Sequence, residues 1–352
     1  MITTAVIESI ELLDVGDAVG QGDASFFVGV RAAGHTGWYG PIYDRHARYI
    51  ERHLAGRLVG CSPFEHRQSI ERLQEGSGSY VDQRCHSWSV GALDCAVWDL
   101  HGKLFSMPVA DLLAVRPRPA IPAYASWLRL DLTSPDALSA VEQVSAEGWV
   151  FTKWGLRRVL GDAEKLAALA GAVSQRAAGQ VAFDALQTWS VDLTFAFSRW
   201  ARRVPIVWLE DPISYHDMSC YTQISMCGIP IAAGESFIIG DIPFGEFRPN
   251  QLRALTVDVV GIGGITKMLE LVRMARDLRV QIVPHGRSLM PAIQLAAAYS
   301  DVVPIVEYQL QWEQRRQNLY ADGIVPESGR IRLPSTTGLG IDPRRDLARN
   351  RS

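Results

Sequence analysis

The spacing of apolar positions changes texture near residue 117. Upstream, residues 4–14 and 24–32 read as strands, and Gly34–Gly37 reads as a turn leading into Trp38-Tyr39-Gly40. Helical periodicity follows over 43–57, 62–75 and 87–113. The segment Val115-Arg116-Pro117-Arg118-Pro119-Ala120-Ile121-Pro122 holds three prolines in six residues. Proline lacks the amide hydrogen a helix interior needs, so a first domain is placed at 1–117.

Downstream the pattern becomes regular. Short continuous apolar runs at 121–126, 149–153, 181–186, 206–210, 229–234, 254–259, 281–285 and 304–308 alternate with amphipathic stretches such as 162–177, 191–203 and 265–279. Strands buried on both faces give such runs, so eight of them with intervening helices predict a parallel barrel over 118–319. A doubly wound open sheet would want a glycine-rich phosphate loop after its first strand. Trp127-Leu128-Arg129-Leu130-Asp131 stands there instead, and Gly261-Ile262-Gly263-Gly264 follows the sixth strand without the G-x-G-x-x-G spacing.

Composition narrows the class of partner. Of 352 residues, 35 are Lys or Arg and 38 Asp or Glu, a net charge of -3 without basic blocks, which argues against nucleic acid or an anionic membrane. Hydrophobic residues at 47% and charged residues at 21% fit an ordinary globular chain. No apolar run approaches the roughly 18 residues of a membrane span, and the N-terminus has no signal-peptide pattern. Five cysteines, with no C-x-x-C pair, fit reduced thiols and a cytoplasmic location.

The chemistry is concentrated at strand ends. Lys153, Asp184, Glu210, Glu235, Asp258, His285 and Glu307 close seven consecutive predicted strands, with spacings from Asp184 onward of 26, 25, 23, 27 and 22 residues. In a parallel barrel those ends converge on one mouth, where catalytic groups sit. Three neighbouring carboxylates, Asp184, Glu210 and Glu235, would repel one another unless a cation neutralised them, and an all-oxygen set favours Mg²⁺. Asp258 and His285 on adjacent strands are spaced for a carboxylate–imidazole pair. Lys153 is either an acid/base group facing His285 or an ion-pair partner of the acids.

These motifs resemble the enolase superfamily, in its mandelate racemase-like branch. The resemblance rests on Ala92-Leu93-Asp94-Cys95-Ala96-Val97-Trp98-Asp99-Leu100-His101-Gly102-Lys103, Leu209-Glu210-Asp211-Pro212, Ala233-Gly234-Glu235-Ser236 and Gly263-Gly264-Ile265-Thr266. It implies an α/β fold: a (β/α)₇β TIM-like barrel with an N-terminal α+β capping domain, to which the tail 320–352 returns. It further implies Mg²⁺ on Asp184, Glu210 and Glu235, a dyad of Asp258 and His285, and Glu307 as an electrophilic acid. The expected partner is a small carboxylate substrate, and the expected assembly a homo-oligomer. Enolase-type sites pair a Lys or His base with Mg²⁺ to remove the proton α to a carboxylate.

Two positions depart from the family pattern. The usual Lys-x-Lys is Lys153-Trp154-Gly155, and the usual Asp-x-Asn is Asp184-Ala185-Leu186. A site with one lysine suits β-elimination, which needs one base and one acid, better than symmetric racemisation. The leading expectation is therefore dehydration of a sugar acid to a 2-keto-3-deoxy acid, with Lys153 and His285 sharing the acid and base roles. A cycloisomerase acting on an anhydro-sugar acid or lactone follows, then a racemase or epimerase, then a non-catalytic carboxylate binder. Specificity is expected from the capping loops 16–25 and 41–47, with Trp38, Trp127 and Trp154 as candidate pocket walls.

Overall fold

The computed structural model describes residues 5–17, 19–20, 25–74, 82–177, 179–214, 218–239 and 248–349. Loop 16–25 therefore lies partly outside the described residues. The first layer is an antiparallel sheet of β1 (Ser9–Gly16), β2 (Ser25–Ala32) and β3 (His35–Tyr43), ordered β1-β2-β3. Strand β3 occupies a stretch read from sequence only as a turn and its sequel. Gly34 does sit in the left-handed region (φ 78°), but the turn is shorter and pairing resumes at Ala32–His35.

Helix Gln83–Leu104 packs on this sheet, capped by the Asp82 side chain accepting from the Cys85 amide at 3.0 Å. The periodic stretch 87–113 breaks after it. The chain turns at Ser106 (φ 56°), the Met107 amide donates back to Gly102 O at 2.9 Å, and Pro108 precedes a separate short helix, Val109–Leu113.

The second layer is the barrel, and its parallel sheet and helices bear out the expected fold class. Its strands are β4 (Ala120–Trp127), β5 (Thr152–Gly155), β6 (Val181–Asp184), β7 (Ile206–Glu210), β8 (Ile231–Ala233), β9 (Ala254–Leu255), β10 (Gln281–Ile282) and β11 (Val306–Gln309). They run parallel in the order β10-β9-β8-β7-β6-β5-β4-β11. Among the described residues β10 and β11 share no ladder, but the Ile282 amide donates to Val302 O at 2.9 Å across that gap. A short β12 (Arg330–Arg332) pairs antiparallel with β4, and nothing in its local pattern announced it.

A compact apolar plug fills the barrel interior: Tyr124, Phe151, Ala182, Trp208, Ala232, Ala254, Val283 and Ile305. Tyr124 stacks on Phe151 at 4.4 Å, and Trp208 meets both edge-on. Side chains two apart on a strand share a face. The residues two beyond Phe151, Ala182, Trp208, Val283 and Ile305 are Lys153, Asp184, Glu210, His285 and Glu307. A charged layer thus lies directly on the apolar one.

Helix Gln83–Leu104, which carries the motif 92–103, ties the two layers together. Asp99 accepts from the Trp38 and Leu339 amides, each at 2.7 Å, and pairs with Lys103 at 2.8 Å. Asp94 accepts from the Thr266 amide and hydroxyl at the start of helix Ile265–Leu278. Gly91 lies so close to the Val260 carbonyl that an added Cβ would come within 2.1 Å. Only glycine lets this helix rest on the loop that carries Asp258. Residues near the C-terminus lie along the same layer: Tyr320 Oη donates to Gly40 O at 2.8 Å, and the Arg349 amide to Asp14 O at 2.8 Å.

Candidate active site

Lys153 has no exposed surface, and its ammonium lies 2.8 Å from Glu210 Oε2, 3.0 Å from Glu307 Oε1 and 3.8 Å from Asp184 Oδ2. It also sits 5.8 Å from the centroid of the Tyr124 ring in the plug below. Burial alone would lower its pKa. Glu210, Glu307 and Asp184 outweigh that and hold it above the ordinary lysine value, so the side chain carries its proton among these carboxylates.

Asp184 and Glu210 stand opposite each other on β6 and β7. Burial, then mutual repulsion, holds the Asp184 carboxyl well above its usual range, with Lys153 pulling the other way. Burial likewise raises Glu210 against the pull of Lys153. Asp184 Oδ1 accepts from the Leu186 amide at 2.8 Å, and Glu210 Oε2 from Trp208 Nε1 at 3.0 Å. Their other oxygens, Asp184 Oδ2 and Glu210 Oε1, are buried without a hydrogen bond. Buried oxygens left so are costly and call for a partner.

The departure at Leu186 is therefore met by its backbone. Leu186 and Gln187 both take left-handed conformations (φ 53° and 57°), which aim the Leu186 amide at Asp184. Such conformations cost about 1–3 kcal/mol each in residues other than glycine and cluster where a site needs them.

Glu235 follows Gly234 (φ 137°) and leaves the strand alternation, so it stands outside the inner layer with 31% of its side chain exposed. Its Oε1 lies 3.6 Å from His285 Nε2. Among the described residues no three His, Cys, Asp or Glu side chains are gathered as a ready metal cluster. Two carboxylates with orphaned oxygens are in place for a hard divalent ion, and the third points toward the imidazole.

The Asp258–His285 pair is formed, with Nδ1 3.3 Å from Asp258 Oδ2. Burial pushes Asp258 up, but His285 and Ser288 outweigh it, and its pKa falls below the ordinary value. Ser288 Oγ and the Val260 and Gly261 amides all donate to Asp258 Oδ1. Burial would lower the His285 pKa; Glu235, Glu307 and Asp258 together reverse this and push it up to about 10. Glu307 accepts from the Gly286 amide at 2.7 Å. Burial opposes its ionisation, yet Lys153 and His285 bring it down to about 2.

Three site residues escaped the sequence reading. Asp211 (φ 38°) is fully buried next to Glu210, and burial, Glu210 and Glu235 lift its pKa to about 8. Gln309 Nε2 lies 3.1 Å from His285 Nε2, and Arg316 donates to Gln309 Oε1 at 3.1 Å. That guanidinium turns the Gln309 amide nitrogen toward the imidazole. Ser288 is the third. Asp211 was visible beside Glu210 in the quoted motif; Gln309 and Ser288 gave no separate signal. Of the tryptophans expected at the pocket, Trp38 and Trp154 are buried at 3% and 1% exposure and serve as packing.

Gly155 explains the missing lysine. A Cβ there would lie 2.5 Å from the Leu128 carbonyl oxygen, so β5 can carry no side chain at that position without displacing backbone. Gly155→Ala is expected to cost about 1–3 kcal/mol of stability. A thermal melt unchanged from wild type would show that the Leu128 turn yields freely.

Residues 136–347 match the family described as enolase C-terminal domain-like, and residues 27–114 match the mandelate racemase / muconate lactonizing enzyme N-terminal domain. A D-galactonate dehydratase of Ralstonia nicotianae is 25% identical over 334 residues, covering 88% of this chain and 86% of that protein. A D-galactarolactone cycloisomerase of Agrobacterium fabrum is 25% identical over 335 residues, covering 89% and 87%. A mandelate racemase/muconate lactonizing protein from Paracoccus denitrificans, solved with magnesium, superposes with a TM-score of 0.85 at 24% identity, covering 98% and 96%. With both models matched in order and the barrel and cap arranged as described, the chain belongs to the mandelate racemase/muconate lactonizing enzyme family of enolase-like proteins.

Proposed function

We propose that this enzyme removes the proton α to the carboxylate of a sugar acid and expels the β-oxygen, releasing water and a 2-keto-3-deoxy acid. The observation that carries this reading is the Asp258–His285 pair beside two buried carboxylates with unsatisfied oxygens. His285 is the base. With Nδ1–H directed to Asp258, Nε2 is the atom left to accept the α-proton in the neutral imidazole; a cation held by Asp184, Glu210 and Glu235 would offset the carboxylates that otherwise keep His285 protonated. The α-proton passes to Nε2, and the electron pair left on the α-carbon forms the new double bond as the β-carbon–oxygen bond breaks. Lys153, cationic beside an ionised Glu307, is the proton donor to the departing oxygen. The enol then takes a proton at its β-carbon and becomes the ketone.

Asp184, Glu210 and Glu235 are the residues that would hold Mg²⁺. When bound, the ion supplies positive charge that acidifies the α-proton. The orphaned oxygens of Asp184 and Glu210 support this, as does the magnesium in the Paracoccus relative. The five free cysteines suit a reducing, cytoplasmic setting. Among the described residues no helix is long and apolar enough to cross a membrane.

A second reading uses the same proton abstraction with the leaving oxygen tethered in a ring, as the cycloisomerase relative's name indicates for that protein. Proton NMR in D₂O with Mg²⁺ and a panel of aldonic, aldaric and anhydro-sugar acids tests both. New C3 methylene signals with loss of one water establish dehydration. The same signals without loss of water establish ring opening. Wash-out of the α-proton with neither would replace both readings by an epimerase.

A further inference from the structure

Arg287 stands two residues beyond His285, in the turn Gly286–Ser288 whose Ser288 holds Asp258. Nothing in the proton-transfer scheme uses it. Its guanidinium carbon lies 4.3 Å from the centroid of Tyr43 and 4.6 Å from that of Trp88, two rings of the capping layer. Among the described residues it meets no carboxylate at ion-pair distance. The side chain lies deep enough that loss of water lowers its pKa, yet part of its surface stays open. A half-buried guanidinium with part of its surface open can be reached by a small anion.

A second guanidinium stands nearby, while Asp258 is the carboxylate whose charge reaches Arg287. Arg45 approaches the same Tyr43 ring, 5.5 Å from the centroid, and its Nε donates to His46 Nε2 at 3.3 Å. His46 lies parallel to Trp88 at 5.9 Å. Burial first, then Arg45 and Arg287, drives its pKa down to about 3, so the imidazole is neutral and acts as acceptor for Arg45. The aromatic rings fix the planes of two guanidinium groups, and apart from Arg45 Nε, which donates to His46, leave their hydrogen-bond donors available. Planar donors left unsaturated in this way match a carboxylate.

We propose that Arg287, steadied by Tyr43 and Trp88 and assisted by Arg45, binds a second carboxylate at the far end of the substrate, so that the site selects diacids over monoacids. This rests on the proposed function for the position of the first carboxylate, at Asp184 and Glu210. The second would lie beneath segment 41–47, where the sequence placed one specificity loop.

The test reads binding without turnover. Calorimetric titration of the Mg²⁺-supplemented enzyme compares succinate, glutarate and adipate with butyrate, valerate and hexanoate, none of which carries a β-leaving group. At least one diacid is expected to bind about 10- to 100-fold tighter than its monoacid counterpart, the scale of a charge-assisted hydrogen-bonded pair. Arg287→Met should erase that preference and Arg287→Lys should keep part of it. The proposal falls if no diacid outbinds its counterpart on the wild-type enzyme. It also falls if Arg287→Met weakens diacid and monoacid equally, which would make Arg287 a brace between cap and barrel only. Failure of the D₂O experiment with the diacid preference intact would overturn the chemistry and leave this subsite standing.

Discussion

His285→Asn is expected to lose about 10²–10⁴-fold in turnover, the usual contribution of a positioned base, while still binding Mg²⁺ and a carboxylate. Asparagine fills similar space and can still donate toward Asp258, which lies 3.3 Å from His285 Nδ1, but it offers no lone pair of matching basicity. The carboxylates assigned to the metal are untouched. Single-turnover kinetics together with calorimetry of Mg²⁺ and an inert carboxylate separate the two effects. Turnover retained within a few-fold would remove the Asp258–His285 pair from the mechanism. Loss of binding alongside turnover would show instead that the imidazole holds Glu235, 3.6 Å from its Nε2, in place.

Lys153→Met carries the second large effect, on stability. The ammonium is fully buried among Glu210, Glu307 and Asp184, and methionine keeps its volume without its charge. Breaking a buried pair by removing one partner costs about 3–5 kcal/mol, because the remaining charge has no compensation. Asp184 and Glu210 are already raised by burial, so in the unfolded chain they ionise at lower pH than in the folded protein. A raised carboxyl pKa contributes stability below the unfolded value that is lost as pH rises through the folded one. The deficit of the variant should therefore widen with rising pH. Mg²⁺ should restore more stability to the variant than to wild type, since the ion replaces the missing charge. Thermal melts across pH, with Mg²⁺ and with chelator, check each part; an unchanged melting temperature would contradict the ion-pair network.

The barrel was legible because each strand is short, apolar and followed by a polar group at nearly constant spacing. Gly155 was legible as a departure but not in its cause, since the Leu128 carbonyl that excludes a side chain is brought there by the fold. The same holds at Leu186. The Leu186 side chain cannot hydrogen-bond, and its amide does so because the backbone turns left-handed. Strands β3 and β12 were missed for a related reason: pairing with a neighbour, more than local pattern, makes them strands.

What the sequence determined by itself was the order of chemical groups along the chain, and with it the barrel and the family. Alternation of side chains along a strand is a local property, so the charged layer above the apolar plug follows from spacing alone. Tertiary structure decided which charges meet. It placed the Lys153 ammonium inside the carboxylate cluster, turned Glu235 toward His285, and set Arg287 between two aromatic rings of the cap. Electrostatic energy depends on distance and burial, and those are fixed by packing among segments far apart in the chain.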